Sequence, residues 1–227
     1  MNGETRVEEE KRNFMNIYLI RHGRQANKLV NSNVSLSVEG RRQAELVGSR
    51  LLRCHPQILY SSNLIRAVET AEIINSYLDL PYRTKEDLRE ICFGDLENHS
   101  DAENLEHFLA FLEAYGRYEE DIPYPGGECG RDVYERGIKA IYEIIAEARE
   151  AGYERVAVVT HGVFIRSLLA GIFGKNFAIK ALLAKGMENG SITELQYLPD
   201  RDLFTLERLN DYAHLEDEPE LLRRTWK

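Results

Sequence analysis

The amino-acid sequence predicts an α/β fold, namely a three-layer α/β/α sandwich with a mostly parallel central sheet and a helical lid insertion at about 98–124. Two observations support this prediction. Short runs of β-branched and aromatic residues alternate along the chain with longer segments whose apolar residues recur at helical spacing. The strand-like runs are also apolar at successive positions, which is typical of strands covered by helices on both faces.

The strand-like runs and the helical segments follow one another in regular order. Strands are predicted at 16–21, 57–61, 154–160 and 191–197. Helices are predicted at 38–53, 63–78 and 129–150, and a further helix should begin near residue 161. Each helical segment carries an apolar stripe of the kind that packs on a sheet. In such folds ligands bind beyond the carboxyl ends of the strands.

The stretch between Asn98 and Tyr124 departs from this alternation. It is polar, and it contains an amphipathic helical pattern formed by Leu105, Phe108, Leu109, Leu112 and Tyr115. It ends at PYPGG (123–127), where two prolines and two glycines predict a turn. We therefore expect an inserted lid, called the lid segment below.

Length and composition indicate one domain with two polar ends. The 227 residues, 43% of them hydrophobic, suffice for one substantial core but are few for two. We expect a disordered extension over residues 1–14, a single domain over 15–215, and a polar C-terminal tail over 216–227 that frays.

Charge and cysteine content exclude several classes of protein. A net charge of −9 is unlike the basic surface that nucleic-acid binding needs. The sequence has neither an apolar run of about 20 residues nor the pattern of a signal peptide, so we expect a soluble cytoplasmic protein with no membrane partner. Three separated cysteines without CxxC spacing favour reduced thiols over disulfides or a zinc site.

Basic side chains gather where predicted strands end. Arg21 and His22 follow the first strand, His161 follows the strand at 154–160, and Arg66 lies just after the strand at 57–61. The carboxyl ends of parallel strands meet at one edge of a sheet, so these four residues should converge. A phosphoryl group needs such fixed cationic donors. The turn after the first strand lacks GxGxxG, which argues against a dinucleotide-binding domain.

Five motifs in the chain resemble those of the histidine phosphatase superfamily, which includes the cofactor-dependent phosphoglycerate mutases. They occur in the order LIRHG, SSNLIRAVETA, LREICFGDLEN, PGGE and VVTHGVFIRSLL, and the resemblance covers about residues 16–215. It implies that His22 attacks phosphorus and that Glu90 protonates the leaving oxygen, after which water hydrolyses the phosphohistidine. It further implies that the transferred group is stabilised by Arg21, Arg66 and His161, with no metal or cofactor required.

The loop after His22 departs from the family pattern. Family members commonly carry Asn six residues after this His, whereas here Asn27 stands one place early and Lys28 occupies that position. The loop is also shorter than in the mutases. Candidates for substrate contact are the glycines of RHG and THG together with four loop residues: Gly23, Gly162, Arg24, Gln25, Asn27 and Lys28. Cys129 replaces the usual Ser after PGGE, and we interpret it as a small side chain at a helix start.

The charge of the lid segment is the basis for predicting the reaction class. It contains seven Asp or Glu residues and one Arg, whereas a mutase needs cations over its pocket to hold a phosphorylated acid. We therefore expect a metal-independent phosphomonoesterase for a small phosphorylated metabolite whose leaving group is neutral, hydroxylated or cationic. Two alternatives stay open: a phosphoglycerate-type phosphomutase, and a catalytically silent phospho-ligand binding protein. A homodimer is also left open.

Overall fold

The structure is a computed structural model that describes residues 14–184 and 186–223. The predicted disordered extension lies outside the described residues except for Phe14, and so do the last four residues of the C-terminal tail. The strands are β1 (Met15–Arg21), β2 (Ile58–Ser61), β3 (Tyr82–Thr84), β4 (Arg155–Thr160), β5 (Ile192–Leu198) and β6 (Leu203–Asp211). The α-helices are α1 (Val38–Leu51), α2 (Ile65–Leu78), α3 (Asp101–His107), α4 (Leu109–Tyr115), α5 (Gly130–Glu150) and α6 (Gly162–Ile172).

The six strands form one sheet in the order β3-β2-β4-β1-β5-β6. The pairs β3/β2, β2/β4 and β4/β1 are parallel, while β5 is antiparallel to both of its neighbours, β1 and β6. Five strands therefore point in one direction and β5 alone points in the other. This confirms the mostly parallel sheet.

Apolar residues of the central strands face both sides of the sheet, because successive side chains of a strand alternate in direction. Ile17 and Leu19 of β1 lie in one core with α5 and α6. Tyr18 and Ile20 lie in the other core with α1 and α2. Two helical layers thus enclose the sheet, which confirms the three-layer sandwich.

The strand register sets the position of the functional residues. Arg21 at the end of β1 lies opposite Thr160 at the end of β4, and Ser61 of β2 pairs with Val159 of β4. The residues that follow these three strands therefore emerge side by side: His22, Ser62 and His161.

Several elements differ from the prediction. Strands β3 and β6 were not predicted; β3 has only three residues, and β6 is an edge strand with exposed leucines that lacks the apolar run of a buried strand. The lid segment contains two short helices instead of one, because the backbone leaves helical geometry at Phe108. Leu105 and Leu109 were wrongly placed on its apolar stripe, since they are 55% and 48% exposed.

The C-terminal tail packs onto the domain as far as residue 223, which corrects the expectation that it frays. Leu221 and Leu222 are buried. The Gln43 side chain donates to the Leu221 carbonyl at 2.8 Å, and Arg42 forms a salt bridge with Glu218 at 2.6 Å. Within the described ranges, none of the helices has the length and apolar character needed to cross a membrane.

Candidate active site

A cavity of about 540 Å³ opens at the carboxyl ends of β1, β2 and β4. This volume falls in the range of about 300–1,000 Å³ that is usual for small-molecule sites. Its basic and acidic lining residues are Arg21, Arg24, Lys28, Arg66, Arg166, Arg223, Glu90 and Asp101, and its other polar lining residues include His22, Gln25, Asn27, Asn31 and Asn189. Three of the four basic residues predicted to converge, Arg21, His22 and Arg66, thus line this cavity, whereas His161 is buried and is not a lining residue.

His22 is held in one orientation at the floor of this cavity. Its Nδ1 is 2.7 Å from the Gly23 carbonyl, so Nδ1 carries the proton and donates it there. Its Nε2 accepts a hydrogen bond from the Arg66 Nε–H at 3.2 Å and therefore bears the lone pair. Burial, and then the charges of Arg66 and Arg21, lower the pKa of His22 well below 6.5. A neutral imidazole with its Nε2 lone pair directed at an arginine is the result.

Arg66 lies in the first turn of α2 and is only 2% exposed. Besides its bond to His22, it donates to the Ser32 carbonyl at 3.2 Å and to Asn31 Oδ1 at 2.6 Å. Burial is the main cause that lowers its pKa, with nearby carboxylates acting in the opposite sense. Arg66 is therefore a fixed buried cation, and not the surface helix charge that its sequence context alone would suggest.

His161 lies beside His22, with the ring centroids 5.0 Å apart. Its Nε2 is 2.9 Å from the Ser62 hydroxyl, and that hydroxyl oxygen already accepts the Leu64 backbone N–H. No other acceptor within the described residues takes the Ser62 proton, so it is directed to Nε2, and a neutral His161 carries its proton on Nδ1. Burial, followed by the charge of Arg66, lowers the pKa of His161 well below 6.5, and its buried Nδ1 has no partner among the described residues.

Arg21 completes the floor of the cavity. Its guanidinium donates to the Met187 carbonyl, while its buried Nε has no partner among the described residues. Burial, and then the like charge of Arg223, lower its pKa to about 9. A Cβ on Gly162 would lie 3.2 Å from this Nε, so glycine at that position lets α6 approach the guanidinium. The orphaned donors of Arg21 and His161 are atoms that an anion would satisfy.

Glu90 is held against the start of α6. Its Oε1 accepts the backbone N–H groups of Ile91 and Phe164 at 3.1 and 2.9 Å, and its Oε2 accepts that of Val163 at 3.2 Å. Two N–H groups at the start of this helix therefore orient the Glu90 carboxyl.

A brace outside the cavity positions the segment that carries Glu90. Arg136 of α5 donates to the carbonyls of Asp87, Arg89 and Glu90 at 2.8–3.0 Å and forms a salt bridge with Glu128 at 2.8 Å. Glu128, the last residue of PGGE, also accepts the Cys92 N–H at 2.8 Å. The PGGE motif therefore acts on the site through Glu90.

The residues predicted to contact substrate differ in where the structure places them. Arg24, Gln25, Asn27 and Lys28 line the cavity, as does Gly162. The Gln25 amide donates to Asn27 Oδ1, and Asn27 in turn accepts the Leu29 N–H at 3.2 Å, so both side chains fold the loop. Gly23 is not a lining residue: its N–H donates to Thr70 Oγ1 at 3.0 Å.

Four lining residues with amide or guanidinium side chains were not predicted from the sequence. Asn31, with a left-handed φ of 48°, bonds both Arg66 and Glu97, and Asn189 donates to the His22 carbonyl at 2.9 Å. Arg166 lies one turn into α6, and Arg223 comes from the tail. The LIRHG and THG motifs could not reveal these residues, because each depends on tertiary packing.

The acidic residues of the lid segment do not determine the charge of the cavity, which corrects the expectation that cations are lacking there. The lid segment contributes only Asp101 to the charged lining, whereas six basic side chains from other elements line the cavity. Cations over the cavity are therefore present. Cys129 precedes α5 as its N-cap and is not among the lining residues, as we interpreted it. Within residues 14–184 and 186–223, no cluster of three or more His, Cys, Asp or Glu could hold a metal ion.

Comparison with known proteins gives a consistent result. Residues 17–212 match the family model of the histidine phosphatase superfamily (branch 1). The chain is 32% identical to phosphoglycerate mutase-like protein 4 of Arabidopsis thaliana, over 94% of this chain and 93% of that one. It is 27% identical to the phosphatase PhoE of Bacillus subtilis, over 88% and 96%. The structure of a mycobacterial glucosyl-3-phosphoglycerate phosphatase with inorganic phosphate is 28% identical, superposes with a TM-score of 0.78, and covers 88% of this chain and 99% of that one.

Proposed function

The chain belongs to branch 1 of the histidine phosphatase superfamily, and from this premise we propose that it is a metal-independent phosphomonoesterase for small phosphorylated metabolites, acting through a phosphohistidine at His22. The observation that carries the proposal is the state of His22. It is buried and neutral, its Nδ1 proton is fixed by the Gly23 carbonyl, and its Nε2 lone pair faces the cavity's buried arginine. Such a nitrogen is a nucleophile at neutral pH.

The first chemical step transfers the phosphoryl group to His22. The phosphate of the bound substrate accepts hydrogen bonds from Arg66 in place of His22 Nε2. The Nε2 lone pair is then free to attack phosphorus. The bond from phosphorus to the alcohol oxygen breaks, its electron pair stays on that oxygen, and Glu90 supplies the proton. The alcohol then leaves.

The second step returns His22 to its starting state. Water attacks the phosphohistidine, the Nε2–P bond breaks with its electron pair returning to Nε2, and Glu90 accepts the proton from the water. Arg21, Arg66 and the Nδ1–H of His161 bond the equatorial oxygens during both steps. One such fixed donor contributes about 10²–10³ in rate, and the two arginines supply the positive charge that metal ions supply in other phosphatases.

A phosphomutase is the second candidate, and the six basic lining residues favour it. In a mutase the phosphohistidine would return its group to a bound phosphorylated acid instead of water. Rapid interconversion of 2- and 3-phosphoglycerate, outpacing phosphate release, would establish this activity.

The test of the proposal combines turnover with trapping of the intermediate. Turnover of p-nitrophenyl phosphate by wild type, His22→Ala and His107→Ala is measured in the presence of EDTA. In a second experiment each protein is mixed with substrate labelled in its phosphoryl group, and the reaction is stopped with alkali so that any phosphohistidine is retained. His107 lies exposed in the lid segment, so its variant is the matched control. We expect acid-labile label and turnover in wild type and His107→Ala, with both lost in His22→Ala. Binding of phosphoesters without turnover in wild type would instead support the silent binding protein.

A further inference from the structure

Arg166 and Arg223 extend the positive charge of the cavity beyond the phosphoryl floor. Arg166 lies in α6, where its Nε donates to the Gly162 carbonyl at 3.2 Å. Arg223 donates to the Met187 carbonyl at 3.5 Å, and the same carbonyl accepts from Arg21. The two residues therefore lie next to Arg21, on one side of the cavity.

The backbone of Arg223 is fixed although its side chain is solvent-exposed. Both carboxylate oxygens of Glu188 accept the Arg223 N–H at 2.9 Å, and the two preceding leucines are buried. The tail thus presents one arginine to the cavity from a defined position. An arginine whose backbone is fixed in this way loses less entropy on binding an anion than one on a flexible segment.

The charge of this corner exceeds what one phosphoryl group requires. The charges of Arg223 and Arg166 lower the pKa of Arg21, while those of Glu90 and Glu188 act in the opposite sense. The lining has six basic residues against two acidic ones. Grouped arginines are stabilised when an anion binds between them, and their planar forks match carboxylates and phosphates.

Resting on the proposed function, the geometry points to a second anion subsite formed by Arg166 and Arg223, which binds an anionic group on the alcohol part of the substrate. The phosphoryl group lies on the floor formed by Arg21, His22 and Arg66. The volume of about 540 Å³ leaves room for the rest of a small metabolite beside it. The preferred substrates are therefore phosphomonoesters of hydroxy acids or of other anionic alcohols, and the tail is a specificity element.

The test uses two inhibitors that differ at one carbon. 3-Phosphoglycerate carries a carboxylate where glycerol 3-phosphate carries a neutral CH₂OH. Each is measured as a competitive inhibitor of p-nitrophenyl phosphate hydrolysis, and the readout is the ratio of their inhibition constants. Wild type should bind 3-phosphoglycerate at least about tenfold more tightly, and Arg223→Gln or Arg166→Gln should each reduce this preference by about tenfold. Arg223→Lys, which keeps the charge, should retain part of it.

Arg201→Gln is the control, because it removes one positive charge in the turn between β5 and β6, at the opposite end of the sheet. The ratio of the two inhibition constants for this variant should equal that of wild type. The subsite is disproved if wild type shows no preference, or if the two glutamine variants leave the ratio unchanged while turnover persists. Absence of p-nitrophenyl phosphate hydrolysis by wild type would instead reject the proposed function on which the subsite rests.

Discussion

The floor and the outer wall of the cavity are built by different means. The floor consists of Arg21, His22, Arg66 and His161, which the ends of β1 and β4 and the start of α2 deliver. The wall consists of basic side chains from the loop after β1, from α6 and from the tail: Arg24, Lys28, Arg166 and Arg223. Arg66 of the floor is 2% exposed, whereas Lys28 of the wall is exposed.

This difference assigns the chemical steps to the floor and the choice of substrate to the wall. His22, Arg66 and His161 are buried and Arg21 is half-buried, and each is oriented by hydrogen bonds to backbone or neighbouring groups, as preorganised transition-state stabilisation requires. Lys28 and Arg223 of the wall are exposed, and Arg24 and Arg166 are half-buried, so water screens these charges more and they act more weakly on the reacting atoms. Substitutions of the floor should therefore change the rate of the chemical steps, and substitutions of the wall should change mainly which substrate binds.

The largest effect is expected from comparing the loss of one positive charge in the floor with the loss of one positive charge in the wall. Arg66→Gln should lower kcat/KM for p-nitrophenyl phosphate by about 10³-fold, because it removes a fixed donor and the partner of His22 Nε2. Lys28→Gln should lower it by no more than about fivefold, the scale of an exposed ion pair. Steady-state kinetics on variants with matched thermal unfolding curves measures both. Equal losses would erase the distinction between floor and wall.

The distinction also explains what the sequence could predict. The four floor residues lie in short motifs directly after strands, and a parallel sheet brings strand ends together whatever the loops do. Asn31 was missed because its role depends on a left-handed turn that places its carboxamide against Arg66. Arg223 was missed because two buried leucines in a charged tail are too few to show a periodicity. The homodimer stays a prediction.

The lid shows the same limit for secondary structure. Its apolar spacing predicted one helix, yet the helix is interrupted at Phe108. Four of its apolar side chains pack on the core, namely Phe108, Phe111, Leu112 and Tyr115, while Leu105 and Leu109 face solvent. Helical periodicity identifies a helical region, but the direction from which the core approaches is a tertiary property.

A second prediction concerns Glu90, which lies between floor and wall. Glu90→Gln should lower kcat/KM, which reports the first step and not the later attack of water, by about 10²-fold for an alkyl phosphomonoester, whose alkoxide leaves poorly without a proton. The loss should be only several-fold for p-nitrophenyl phosphate, because nitrophenolate leaves without protonation. Glu128→Gln, which weakens the brace through Arg136 and so acts through Glu90, should show the same substrate dependence with a smaller loss. An equal loss for both substrates in Glu90→Gln would reduce Glu90 to a positioning residue.

The third prediction tests whether burial keeps the two histidines of the floor neutral in the folded protein. His22 and His161 have pKa values lowered well below 6.5 by burial, so the unfolded chain binds protons near pH 6.5 that the folded chain does not. Stability then falls as pH falls from 6.5, by up to about 1.4 kcal/mol per pH unit for each such histidine. Between pH 6.5 and 5.5 carboxylates of the unfolded chain remain ionised, so the histidines dominate this window.

Substitution separates the floor histidines from the others in this window. Urea unfolding at pH 6.5 and 5.5 should show a smaller loss of stability for His22→Asn and for His161→Asn than for wild type, with His107→Asn as the control for an exposed histidine. If His22→Asn lost as much stability as wild type, His22 would already be protonated in the folded protein. Its Nε2 would then carry a proton in place of the lone pair, and the same cationic floor that binds a phosphate would have lost its nucleophile.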